Sequence, residues 1–184
     1  NIDPAGGTTQ SPTFAVVAST VASVTDGATG TSLESGARTA THVLNFTTPA
    51  SLIATSSVRA VFPAGTDLTG VTAAQVSWTV NGTPIAGFSV NVAGTQIDVT
   101  SASRIVPGTH AITITNVINP AVVGAQTLTV ELRAAAATYA GPATSSAFTL
   151  VAGSLTPVTA TPASLLTGAN AVTYTVNFTS ANNL

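Results

Sequence analysis

The sequence predicts an all-β fold, a sandwich of antiparallel sheets, and three observations lead there. Apolar residues alternate with polar ones at a period of two along many short runs. Gly, Pro, Asn or Ser bounds each run, at intervals of about ten residues, the spacing of strands in a two-sheet domain. No segment keeps an apolar stripe at helical spacing long enough to make a stable helix. A closed barrel is the alternative arrangement of the same strands.

In chain order, His42, Leu44 and Phe46 form the first run and Val58, Ala60 and Phe62 the second. Val76, Trp78 and Val80 alternate next, which sets the single tryptophan on the core side. Asn81-Gly82 reads as a tight turn with positive φ at both central residues, although Pro84 and Gly87 equally fit a longer, bulged connection to Phe88, Val90 and Val92. Ala93-Gly94 joins that run to Ile97 and Val99 as a hairpin. Ile112 and Ile114 belong to a strand that Asn119-Pro120 ends, because proline cannot donate to a ladder. Leu128, Val130 and Leu132 follow, and Ala134–Ala137 allow no more than a helical turn before Gly141-Pro142. Val172, Tyr174, Val176 and Phe178 make the last run.

Of 184 residues, 45% are hydrophobic and only 5% charged, with a net charge of −2. Soluble domains carry about 25% charge, so this surface rests on Thr, Ser, Asn, Gly and Ala. Arg38, Arg59, Arg104 and Arg133 stand apart from one another, which excludes the basic cluster that nucleic acid requires. The absence of cysteine removes disulfides and thiolate metal sites. No apolar run approaches the roughly 20 residues of a membrane-spanning helix. The chain starts at Asn1 without a basic, hydrophobic leader, as expected of a processed chain or a piece of a longer one.

An internal repeat is the most informative feature. Residues 41–52, THVLNFTTPASL, align with 173–184, TYTVNFTSANNL, at an offset of 132, and 11–19, SPTFAVVAS, align with 145–153, SSAFTLVAG, at an offset of 134. The expected organisation is a closing strand of a preceding unit, or a tail, over 1–18, and one complete unit over 19–152. Residues 153–184 are then the opening strands of a second unit or a strand-exchange segment. Such strands have an apolar face and an edge that need a partner. Either the chain is a window on a tandem array, or its terminal strands complete a neighbouring subunit by strand addition. Phe14 and Val16 at one end, and Val172, Tyr174, Val176 and Phe178 at the other, are the candidate linking residues. Lysine, a common guard of sheet edges, is absent, so edges must be shielded by proline, glycan or pairing.

The succession NFTTPASL, VRAVFPAGTDL, VNG and IVPGTHAITITNVINP, followed by Gly124, resembles the immunoglobulin-like tandem repeats of large secreted bacterial surface proteins, over residues 38–152 and part of a second copy. The resemblance implies an immunoglobulin-like sandwich with an extracellular, structural or adhesive role. The expected function is a secreted or cell-surface structural protein, a subunit or repeat module of a filament, sheath or surface layer. Its units join end to end, so its partners are copies of itself or adjacent repeats. The alternative is a cell-surface adhesin or a carbohydrate- or protein-binding module. The inward Trp78 weakens the carbohydrate version, since sugar sites present aromatic platforms.

No catalytic constellation emerges, and the chain is expected not to be an enzyme. His42 and His110 are the only side chains that ordinarily titrate near neutrality. His42 aligns with Tyr174 of the repeat and is expected to be packed, while Asp98 is the carboxylate expected beside His110 across adjacent strands. The chain has no Gly-x-Ser-x-Gly elbow, no paired carboxylates and no lysine for a phosphate loop. Asp67 reads as a turn cap rather than a calcium ligand, because calcium needs several oxygens and no other acid lies near it in sequence. No cofactor or metal is therefore expected. Asn45, Asn81 and Asn177 open Asn-x-Thr sequons for possible glycan. Alternation turns Asn45 and Asn177 outward, and a turn tip exposes Asn81.

Overall fold

A computed structural model describes residues 20–134 and 137–180. Among them the chain is strand and loop, with two short 3-10 turns, Gly30–Leu33 and Ala73–Gln75, and no α-helix. One antiparallel sheet orders β1 (Ala22–Asp26), β2 (Ala40–Thr48), β8 (Gly108–Val117), β4 (Val76–Val80) and β5 (Thr83–Pro84). A second orders β11 (Ala137–Thr144), β10 (Thr129–Ala134), β3 (Ser56–Val61), β7 (Gln96–Ser101) and β6 (Phe88–Ala93). Two smaller pairs complete the set: β9 (Gly124–Gln126) with β12 (Phe148–Leu150), and β13 (Leu155–Pro162) with β14 (Tyr174–Ser180).

The period-two pattern is what makes these strands. On β2, Ala40, His42, Leu44, Phe46 and Thr48 are buried while the residues between them are only partly covered. Val76, Trp78 and Val80 on β4 and Ile112 and Ile114 on β8 extend the same inner face. The other sheet contributes Val58, Ala60, Ile97, Val99, Val130 and Leu132 to one shared apolar core. Trp78 meets Phe88 of the other sheet edge-on, ring centres 6.4 Å apart. Each large apolar side chain fully buried in this way stabilises the fold by about 1.5–3 kcal/mol.

Asn81 (φ 51°) and Gly82 (φ 78°) form the expected tight turn, with Val80 opposite Thr83. The strand after that turn is nevertheless only the two-residue β5. Phe88, Val90 and Val92 do not return to β4 but form β6, at the edge of the other sheet beside β7. The cause is Pro84, which faces Thr79 and has no amide to extend the ladder, followed by a turn at Gly87 (φ 71°) that carries the chain across. Ala134 closes β10 and Ala137 opens β11, with the helical turn considered there falling partly on 135–136, outside the described residues. Phe14 and Val16 also lie outside them.

The ladders fix which end of the domain is which. β1 starts at the end where Ala22 faces Thr47 and Thr48 faces Gly108. The closing strand β12 finishes at the opposite end. There the Ser35 amide donates to the Val151 carbonyl at 2.8 Å, and Gly36 and Asn119 bond to Pro120 and Ala37. No helix is long and apolar enough to cross a membrane among the described residues.

Candidate functional site

The buried polar side chains come first, because they are where chemistry would be sought. β2 delivers His42 to the inner face, 1% exposed, with Phe62 and Phe148 packed edge-on at 5.3 and 5.7 Å. Its Nδ1 lies 2.5 Å from Asp26 Oδ2 and its Nε2 lies 2.9 Å from Asn119 Oδ1. The Asn119 amide donates to the carbonyls of Ser32 and Glu34, both at 2.8 Å, so its oxygen is the atom that faces the ring. Both ring nitrogens therefore lie within hydrogen-bond reach of a side-chain oxygen. Asp26 Oδ1 also accepts from the amides of Ala28 and Val43. Buried polar groups are costly unless bonded. Asp26, His42 and Asn119 are each bonded, and their network ties β1, β2 and the segment after β8 together. Asn119 thus does more than end a strand, and Asp26 was not foreseen. The clue was in the repeat: Ala160 faces Val176 as Asp26 faces Leu44, so the second copy replaces Asp26 and His42 together, by Ala160 and Tyr174.

His110 does not meet Asp98, contrary to the expected pair. The two lie in different sheets, and Asp98 is held by Arg59 directly across the ladder, with bonds of 2.8 and 2.9 Å. A bidentate guanidinium is the better partner for that carboxylate, and its hydrogen bond raises the Arg59 pKa. His110 instead stacks on Phe46 at 4.7 Å and accepts from Trp78 Nε1 at 3.2 Å on Nδ1. That leaves its Nε2–H to donate to Thr48 Oγ1 at 2.9 Å. Burial pushes the His110 pKa down to about 4, so the ring is neutral at pH 7.

Asp67 caps its turn: Oδ1 accepts the Thr69 amide at 2.8 Å, and that bond holds the carboxyl below its usual range. Among the described residues no group of three His, Cys, Asp or Glu is placed to hold a metal. Of the sequon residues, Asn45 is half-buried, with its amide 3.3 Å from the Val43 carbonyl. Asn81 is engaged at both side-chain atoms, donating to the Pro107 carbonyl at 3.2 Å and accepting from the Thr109 amide at 3.0 Å. Asn177 is exposed on β14.

Interaction surfaces remain. At the end where β1 starts, Ile53 and Val106 are exposed, and at the other end Val122, Val123 and Val151 are exposed. Beyond Val151, β13 and β14 pair with each other only, among the described strands. Leu155, Val158, Tyr174, Val176 and Phe178 share one face of that hairpin by register, and all are exposed. Val172 precedes β14 and is half-buried.

No protein-family model matches the chain, and no curated protein matches it. Among solved structures the chain is similar to BslA, a bacterial hydrophobin, at 16% identity and a TM-score of 0.43, over 73% of this chain and 98% of that one.

Proposed function

We propose that the chain is an extracellular structural protein without enzymatic activity, a module or subunit of a filament, sheath or surface layer whose units join end to end. One observation carries this: the β1–β2 hairpin opens the domain at one end, and β13–β14, the same hairpin by sequence repeat, begins at the other. A chain that enters at one pole and leaves at the opposite one extends a line. Both poles present exposed apolar side chains, Ile53 and Val106 at one, Val122, Val123 and Val151 at the other, which a neighbouring unit would cover. The neutral, hydroxyl-rich surface without lysine offers few trypsin sites, which suits exposure to proteases outside the cell.

Strand order supports an immunoglobulin-like module related to tandem surface repeats. With β5, the β6–β7 hairpin, the small β9–β12 pair and the β13–β14 hairpin set aside, seven strands remain. The first sheet then runs first, second, fifth, fourth, and the second runs seventh, sixth, third. That is the order of a constant-type immunoglobulin sandwich. The departure is the β6–β7 hairpin, which follows the fourth strand yet lies beside the third.

Electron microscopy of the native material tests the proposal. Regular filaments or sheets should appear with an axial repeat of about 35 Å, the length of a ten-residue strand. Val122→Asp with Val123→Asp should disrupt them while the buried Trp78 keeps its emission. Isolated single particles in the native material would overturn the end-to-end role.

A further inference from the structure

The β13–β14 hairpin reproduces the pairing of β1 with β2 at equivalent positions. Thr25 faces Asn45 and Asp26 faces Leu44, and Thr159 faces Asn177 and Ala160 faces Val176. Both ladders carry a register irregularity in the first strand, between Ala22 and Thr25 in one copy and between Leu155 and Val158 in the other. The intervening loops differ by two residues, yet Gly36 (φ 70°) and Gly168 (φ 80°) occupy equivalent positions before the second strand and share the left-handed backbone that glycine allows. The two hairpins differ in what covers them. In the first copy β8 pairs along the outer edge of β2, and Leu44 and Phe46 are each 1% exposed. In the second, the equivalent Val176 and Phe178 are 55% and 48% exposed, and no described strand lies along the outer edge of β14 from Tyr174 to Thr179.

We propose that β14 is an acceptor edge for a single uncharged β-strand of the β8 pattern, added antiparallel, with β-branched apolar residues at alternate positions covering Tyr174, Val176 and Phe178. This rests on the end-to-end reading and names the kind of strand that covers the hairpin with which the next unit begins. The β2–β8 ladder supplies the register: Leu44 faces Ile112, Phe46 faces His110 and His42 faces Ile114. An incoming strand therefore sets its Ile112 equivalent against Val176 and its Ile114 equivalent against Tyr174. Charge complementarity agrees. Residues 153–184 contain no Asp, Glu, Lys, Arg or His, so recognition rests on backbone bonds and apolar contact, and a charged strand would be desolvated against that face without an ion partner. The folded domain of a second copy cannot lend its own β8, because that strand lies between β2 and β4 in the middle of its sheet.

The probe is a synthetic peptide of residues 108–117, GTHAITITNV, offered to the full chain. Saturable one-to-one binding is expected, with slowed amide exchange confined to β14 and unchanged Trp78 emission. A scrambled peptide should not bind, an Ile112→Asp peptide should bind at least about tenfold more weakly, and Val176→Thr with Phe178→Asn in the protein should do the same. Those two positions are exposed, so the domain stays folded while the edge is altered. Absence of peptide binding would overturn the acceptor role. So would concentration-dependent pairing of the chain through β14 that the peptide fails to displace, since the occupant would then be a second copy. If native material forms filaments while the peptide does not bind, the acceptor inference falls and the end-to-end function stands. Peptide binding by a chain that forms no ordered assembly would leave the acceptor edge and remove the assembly.

Discussion

The two histidines divide the interior chemistry between them, and each makes a separate prediction. His42 is held in a closed network, so removing Asp26 alone leaves a buried ring nitrogen without its acceptor. Breaking one side of such a pair costs about 3–5 kcal/mol. The second copy has alanine and tyrosine at the equivalent positions, so both charged or titrating groups are replaced together. Asp26→Ala combined with His42→Tyr should therefore be less destabilising than the sum of the single changes, with a coupling of at least about 1 kcal/mol in urea unfolding. Strict additivity would mean that the two residues do not act as a unit. His110 makes the second prediction. Its folded pKa of about 4 lies below the ordinary histidine value of about 6.5, so the unfolded chain takes up the proton first. The stability this contributes is complete above pH 6.5 and is lost as pH falls through 4. Between pH 7.5 and 4.5 the wild type should lose about 2–3 kcal/mol more than His110→Phe, which keeps a ring against Phe46 but has no proton to bind. Equal losses in the two proteins would contradict it.

Among the elements, the legible ones were those with a buried face on a long run. β2, β4 and β7 bury every second residue against the core, and β3, β8 and β10 do so over most of their length, so alternation locates them. β1 was not legible because it is short, Ser23 takes a positive φ, and only Val24 within it is buried. β11 was hidden by Gly141-Pro142, which reads as a stop. The strand continues through it because β11 is a sheet edge, where a missing amide faces no partner. The placement of β6 in the second sheet could not be read from alternation, which reports a strand's two faces and not its neighbours. The candidate linking surface was legible for a different reason. Val172, Tyr174, Val176 and Phe178 were visible through the repeat, since a copied sequence marks positions whose faces are known in the first copy. The Asp26–His42–Asn119 network joins residues 16 and 77 positions apart, and no local pattern announces such a contact.

For the molecule as a whole, the division of apolar contact predicts a division of stability. Two five-stranded sheets share one core, so their central strands open only when the domain unfolds. The β13–β14 hairpin lies outside that core, its apolar face exposed and its ladder limited to two strands. An isolated two-stranded hairpin is marginally stable in water. Native-state hydrogen exchange should therefore separate two classes of amide in the free chain. Those of β8 and β3 should exchange only through global opening, and those of β14 at least about 100-fold faster, a difference of about 3 kcal/mol in opening free energy. A strand added at β14 should bring the second class toward the first, because it supplies the third strand that β2 already has in β8. If β14 in the free chain is protected as strongly as β8, its apolar face is already covered, and the hairpin is part of the domain rather than the start of the next unit.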